Sequence, residues 1–187
     1  LPRGAFVFTS NVDGQFQRAG FDEARICEVH GSIHHLQCLD GCDGQITRAD
    51  GFEPEVDEVA CLLHSPLPRC ARCQALLRPN VLMFGDWGWL GQRTAAQRQR
   101  LEAWLGGTRR AVVIEIGAGL HVPTVRWFSE NLGEPLIRIN PTEPDIPGRG
   151  VSLPLGGLVA LQGIQQALAQ CGRVGLGEVY VHHRRLR

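Results

Sequence analysis

The chain has 187 residues, which suits one domain with a small insert, and 43% of them are hydrophobic, enough for a buried core. Formal net charge is zero, so composition gives no basis for nucleic acid or an anionic membrane surface as a partner. No apolar run approaches the roughly 18 residues of a membrane span, which excludes a helical membrane protein. All 19 basic residues are arginine, read here as the codon bias of a GC-rich bacterial genome. Leu1-Pro2-Arg3-Gly4 has no signal-peptide shape, so a cytoplasmic protein is expected.

In chain order, Ala5 to Ser10 is a short apolar run ending at the polar turn Asn11-Val12-Asp13-Gly14. It reads as a buried strand whose C-terminal end opens into a loop, the place where α/β sheets carry ligands. Residues 26–30 form a second short run, and 33–37 lead in extended form into Cys38. From Cys38 to Cys73 the chain is rich in Asp, Gly and Pro and could bury little core alone. Val81 to Phe84 reads as a strand ending at Gly85-Asp86, and 92–105 as a helix stopped by Gly106-Gly107. Ala111 to Ile116 is the clearest buried parallel strand, followed by Gly117-Ala118-Gly119. Pro123 to Leu132 reads as a helix closed by Gly133, Leu136 to Ile139 as a strand, and 155–169 as a helix. This alternation predicts an α/β fold with a Rossmann-like parallel sheet and helices on both faces. The expected division is a sheet domain in two parts, 1–37 and 76–171, a zinc module at 38–75 and a solvated basic tail at 172–187.

Seven cysteines are present, and four of them pair closely as Cys38-x3-Cys42 and, 27 residues on, Cys70-x2-Cys73. Four thiolates on tight turns suit a tetrahedral structural zinc with no open position for chemistry. Cys61 lies inside the gap and could compete as a ligand, whereas Cys27 and Cys171 read as core or surface thiols. Gly117-Ala118-Gly119 after a buried strand is the kind of loop that lets a phosphate-bearing cofactor approach backbone. Asn140, at the end of the next strand, could bond a ribose or simply make a turn.

These pieces stand in an order that resembles the Sir2 (sirtuin) family. Thr9-Ser10-Asn11-Val12-Asp13-Gly14 resembles its T-Q-N-[IV]-D-G loop, and Val29-His30-Gly31-Ser32 its [LV]-H-G-[ST] motif. Cys70-Ala71-Arg72-Cys73 with Leu77-Arg78-Pro79-Asn80-Val81-Leu82-Met83-Phe84-Gly85-Asp86 resembles C-x-x-C…L-R-P-x-[VI]-V-x-F-G-E. Ile116 to Leu120 resembles I-G-T-S-L, and Ile139-Asn140 the late I-N. The resemblance implies an NAD-dependent protein-lysine deacylase that moves the acyl group to ADP-ribose and releases nicotinamide. His30 would be the general base, and Ser10, Asn11 and Asp13 would line the nicotinamide and ribose pocket. Gly117, Ala118, Gly119 and Asn140 would hold the adenosine side. Val81, Leu82, Phe84 and Gly85 would offer a backbone edge to an acyl-lysine peptide. Cys38, Cys42, Cys70 and Cys73 would carry zinc. The family pattern opens with a further strand and a G-A-G-x-S loop that nothing before Phe6 matches, so a longer native protein is expected. Competing readings are a Sir2-like NAD glycohydrolase or ADP-ribosyltransferase and a non-catalytic zinc-binding module.

Overall fold

The computed structural model describes residues 4–170 and the backbone of residues 178–183. Strands β1 (Ala5–Thr9), β2 (Ile26–Glu28), β8 (Ala111–Ile116), β9 (Leu136–Ile139), β10 (Gly150–Leu153) and β11 (Glu178–His183) form a parallel sheet in the order β10-β9-β8-β11-β1-β2. Phe6, Val7 and Phe8 in β1 are all at most 1% exposed, so both faces of this strand are covered. That is why its sequence runs apolar without alternation.

Helices cover both faces. On one side α2 (Gln92–Gly106) and α3 (Thr124–Asn131) bring Leu101, Trp104, Val125 and Phe128 onto Phe6, Phe8 and Val113. Phe8 and Phe128 stack with ring centroids 3.9 Å apart. On the other side α4 (Gly157–Gln170) packs Ala160 and Ile164 on Ile114, Ile116 and Ile139, and the short α1 (Gln15–Arg18) sets Phe16 against Val7 and Ile26. Gly133 follows α3 in the left-handed region (φ 70°), the helix stop expected there.

A second, antiparallel sheet stands beside the first. It is built from β3 (Gly31–Cys38), β4 (Ile46–Arg48) and β7 (Leu77–Val81) in the order β4-β3-β7. The small hairpin of β5 (Val56–Asp57) and β6 (Leu62–Leu63) projects from the same insert.

Two expectations change, and one strand is added. The strand anticipated at 81–84 lies earlier, at Leu77–Val81, and Met83 and Phe84 are 60% and 92% exposed. Its position follows from pairing with β3, which ends at the Gly31–Val81 pair, and not from hydropathy. Strand β10 carries no sequence signal because G-V-S-L is too short for a pattern. Part of the segment expected as a solvated tail is a strand: Glu178–His183 lies between β1 and β8, with Val181 opposite both Val7 and Ile114. Both neighbours are buried strands whose edge N–H and C=O groups need partners, and one strand between them supplies these on both sides. Residues 171–177 and 184–187, including Cys171, lie outside the described residues.

Arg138 and Glu115 face each other across β9 and β8 with 1% and 0% of their side chains exposed, joined by bonds of 2.5 and 2.9 Å. Ser129 and Glu130 of α3 complete the cluster. Arg138→Met is expected to strand the Glu115 charge and cost about 3 kcal/mol or more, read as a lower midpoint in urea unfolding.

Candidate active site and metal centre

In the main sheet the chain runs outward one way from β1 to β2 and the other way from β8 to β10. The reversal falls between β1 and β8, so loops 10–14 and 117–123 leave the sheet at its switch point, where α/β folds bind ligands.

The turn after β2 is fixed from several directions. Glu28 is 1% exposed and bound by Arg93 at 2.5 Å, while its backbone is held by Gln97 and Thr94 of α2. Val29 N donates to Thr9 O at 2.9 Å, tying the turn to β1. Gly31 has φ 83°, and a Cβ there would lie 2.0 Å from the carbonyl oxygen of Asn80. Only glycine permits this close approach of β3 to its antiparallel neighbour β7. His30 is thereby placed with its carbonyl accepting from Leu82 N at 2.9 Å and its Nε2 3.3 Å from Thr124 Oγ1.

A cleft of about 530 Å³ opens at this point. It gathers Ser10, Asn11, His30, Leu82, Phe84 and Gly85, six of the residues expected to serve cofactor, catalysis and substrate. Thr124, Asp86 and Trp87 also line it and were not singled out from the sequence. No motif flags Thr124, since its role depends on α3 beginning beside β2. Asp86 was visible only as the last residue of its motif.

The other expected residues lie elsewhere. Val81 closes β7 and pairs with Gly31. Asp13 is outside the cleft lining; its Oδ1 accepts from Gln15 N at 3.2 Å, and its carbonyl lies 3.0 Å from His34 Nε2. Gly117 (φ 66°), Ala118 and Gly119 form the loop after β8. Asn140 is 5% exposed and its amide is committed locally: Nδ2 donates to Ala118 O, and Oδ1 accepts from the backbone of Thr142 and Glu143. It therefore shapes the loop that the glycines form. Arg126 Nη2 donates to the same Ala118 carbonyl, while its buried Nε has no hydrogen-bond partner among the described residues. The anticipated peptide edge is also altered. Leu82 N is spent on His30, and residues 82–85 lie beyond the strand, whereas β7 itself is the outer strand of its sheet.

At the far end of the β3–β7 ladder, the Sγ atoms of Cys38, Cys42, Cys70 and Cys73 all lie within 4.8 Å of one another. Cys38–Cys73 and Cys42–Cys70 are each 3.6 Å apart. A tetrahedral zinc with bonds of about 2.3 Å would space its sulfurs about 3.8 Å apart, so the set fits that ion. Backbone N–H groups of Cys73 and then Arg72 bring the Cys70 thiol down to about 7, whereas hydrogen bonding within the cluster, first with Cys73, pushes the Cys42 thiol up. Cys61 is exposed and outside the cluster, which removes it as a competing ligand. Burial pushes the Cys27 thiol up to about 11, as befits an inert core residue.

A parallel Rossmann-like sheet with ligand loops at its switch point, joined to a four-cysteine insert, defines the class of protein. The family model described as Sir2 family matches residues 3–123, well over half of the chain, and the chain belongs to that family. It is 36% identical over 80 residues to an NAD-dependent protein deacylase of Pyrococcus furiosus, covering 43% of this chain and 29% of that protein. It is 31% identical over 140 residues to a probable bifunctional ADP-ribose hydrolase/ADP-ribosyltransferase of Fusarium oxysporum f. sp. cubense, covering 68% and 23%. Among solved structures it is similar to a mutant Sir2 homologue in complex with ADP-ribose, with a TM-score of 0.59, 25% identity and coverage of 88% and 61%. The chain thus spans about a quarter of the length of these two curated relatives.

Purified protein is expected to carry about one zinc per chain by elemental analysis, and Cys70→Ser to lose it. Gly31→Ala is expected to retain the zinc but to lower the melting temperature, because the close contact with Asn80 O must open.

Proposed function

We propose that the protein is an NAD-dependent protein-lysine deacylase, with His30 as its base and the four-cysteine cluster as a structural zinc site. The observation that carries this reading is the convergence of Ser10 and Asn11, His30 and the 82–85 loop on one cleft at the switch point. The name of the Pyrococcus relative and the ADP-ribose held by the solved homologue support it. NAD fits the residues present. Small residues at 117–119 leave its phosphates room to approach backbone, and the unpartnered Arg126 Nε lies on the side chain that braces this loop.

When bound, NAD would supply an activated ribose carbon that bonds to the acyl carbonyl oxygen as its bond to nicotinamide breaks, and a ribose hydroxyl that takes the acyl carbon as the lysine amine leaves. The chain's own part is to bind and orient. Asn11 and Ser10 would border the reacting end and residues 82–87 the acyl-lysine, since all of them line the cleft. The open edge of β7 offers the peptide a strand to pair with. His30 would take the proton of a ribose hydroxyl, a task suited to an imidazole. Thr124, hydrogen-bonded to Nε2, sets the ring's orientation. Residues 38–75 serve as the metal-bearing module of this enzyme.

The Fusarium relative favours a second reading, transfer or hydrolysis of ADP-ribose on the same cleft. One assay separates the two. Nicotinamide release from NAD should require an acyl-lysine peptide and fall by about a hundredfold or more in His30→Ala. Release without any peptide would favour the second reading, and no release at all would defeat both.

A further inference from the structure

We infer that a second cavity, between β3 and the helices α1 and α2, binds a chain of phosphates, either free or as part of a nucleotide. The cavity has a volume of about 580 Å³ and is walled by α1, residues 23–24, β3, β4 and α2. It shares no lining residue with the cleft beside His30 and is therefore independent of the deacylase reading.

Two buried polar atoms of its wall have no hydrogen-bond partner among the described residues, Arg93 Nη1 and His35 Nδ1. Together with Arg48, the same two side chains also line an adjoining, more open hollow on the β4 side. Arg93 is not free to swing out to water, because its Nη2 is held by Glu28, itself 1% exposed. A buried donor left unpaired costs its full desolvation, so each of these atoms calls for a partner.

Water could pair with either atom, but the surrounding charge favours an anion. Arg18, Arg48, Arg93 and Arg100 line the cavity, against the single acid Glu23. Glu28 behind Arg93 and Asp50 beside Arg48 reduce this excess without cancelling it. The Arg48–Asp50 pair is 60% and 71% exposed, and such a surface pair yields readily to a better partner. His35 feels the same field. Burial first, and then the charge of Arg93, lower the pKa of its imidazole, with Arg48 acting in the same sense and Glu28 against it. An oxyanion here would accept from Arg93 Nη1 and, in the tautomer protonated at Nδ1, from His35.

The spread of the arginines sets the length of the ligand. Arg93 and Arg100 stand seven residues apart on α2, about 10 Å along the helix. Each is anchored at its own end, Arg93 by Glu28 and Arg100 by the bond from its Nε to Ala24 O at 3.2 Å. One phosphate cannot meet both, whereas a chain of three can, and guanidinium groups suit phosphate oxygens at each step.

The test is calorimetric titration of the zinc-loaded full chain with inorganic tripolyphosphate in a phosphate-free, low-salt buffer. One site per chain is expected, with a Kd of about 0.1 mM or tighter. Inorganic phosphate should bind about tenfold more weakly or worse. Zinc is assayed again afterwards, because tripolyphosphate also chelates metal. Arg93→Gln should abolish binding but also disturbs Glu28, so two milder variants carry the test. Arg100→Ala and His35→Phe should each weaken tripolyphosphate by about fivefold or more. Arg100 is exposed and His35 only half-buried, so zinc content and melting temperature should hold in both. ATP in place of tripolyphosphate separates the two sources: tighter binding assigns a nucleotide and weaker binding the free chain, and either order upholds the site. Absence of binding, phosphate binding as tightly as tripolyphosphate, or affinity unchanged in both variants overturns the inference.

Discussion

The close approach of β3 to its antiparallel neighbour β7 at Gly31 is the constraint on which the site depends. At one end of this ladder Gly31 lies against Asn80, and His30 O receives Leu82 N. At the other end Cys38 pairs in register with Leu77, a few residues after Cys70 and Cys73. The two strands are therefore the struts that join the cysteine cluster to the cleft. Between them Asn80, which is fully buried, donates to Gln37 and to Leu90 O, so the middle of the ladder also holds the far end of the cleft loop. A hydrogen-bonded pair of buried amides is costly to break, because each partner left alone pays its full desolvation.

This geometry explains how an insert with almost no core of its own can serve the chemistry. Residues 38–75 bury few apolar side chains beyond the metal-facing cysteines; Val59, Leu62 and Leu67 are each more than half exposed. A metal replaces the missing core by fixing four side chains at once. Because Cys38 and Leu77 are the last pair of the ladder, fixing them also fixes the register of β3 against β7. A one-residue slip would turn Gln37 and Asn80 to the wrong face and would move a side chain into the space that only Gly31 can occupy.

Much of this was legible in the sequence where local pattern and final environment agree. Strands β8 and β9 and helix α3 stand where their apolar runs and the Pro123 and Gly133 signals put them. The cysteine set follows from spacing, since two short loops each bring two thiols to one point. The misreadings have a common cause. Leu82 to Phe84 are apolar residues that line a cleft, and hydropathy cannot tell a cleft wall from a buried strand. Glu178–His183 is held in the sheet by edges of β1 and β8, which are far away in sequence. Thr124 and the Gln37–Asn80 pair act through contacts across 94 and 43 residues, so no window along the chain contains both partners.

The thiols show the same dependence on surroundings within one residue type. Cys27 lies inside β2, where burial disfavours a charge and no metal could reach it. Cys70 is also buried but sits at a turn where successive N–H groups point at its sulfur, which favours the thiolate. The difference traces to spacing. A Cys-x2-Cys turn places backbone donors within reach of its first sulfur, whereas in β2 the backbone is occupied by the ladder to β1. The chain can therefore carry several reduced cysteines and still direct a metal to four of them, and the ion that gathers there holds the strands that hold His30.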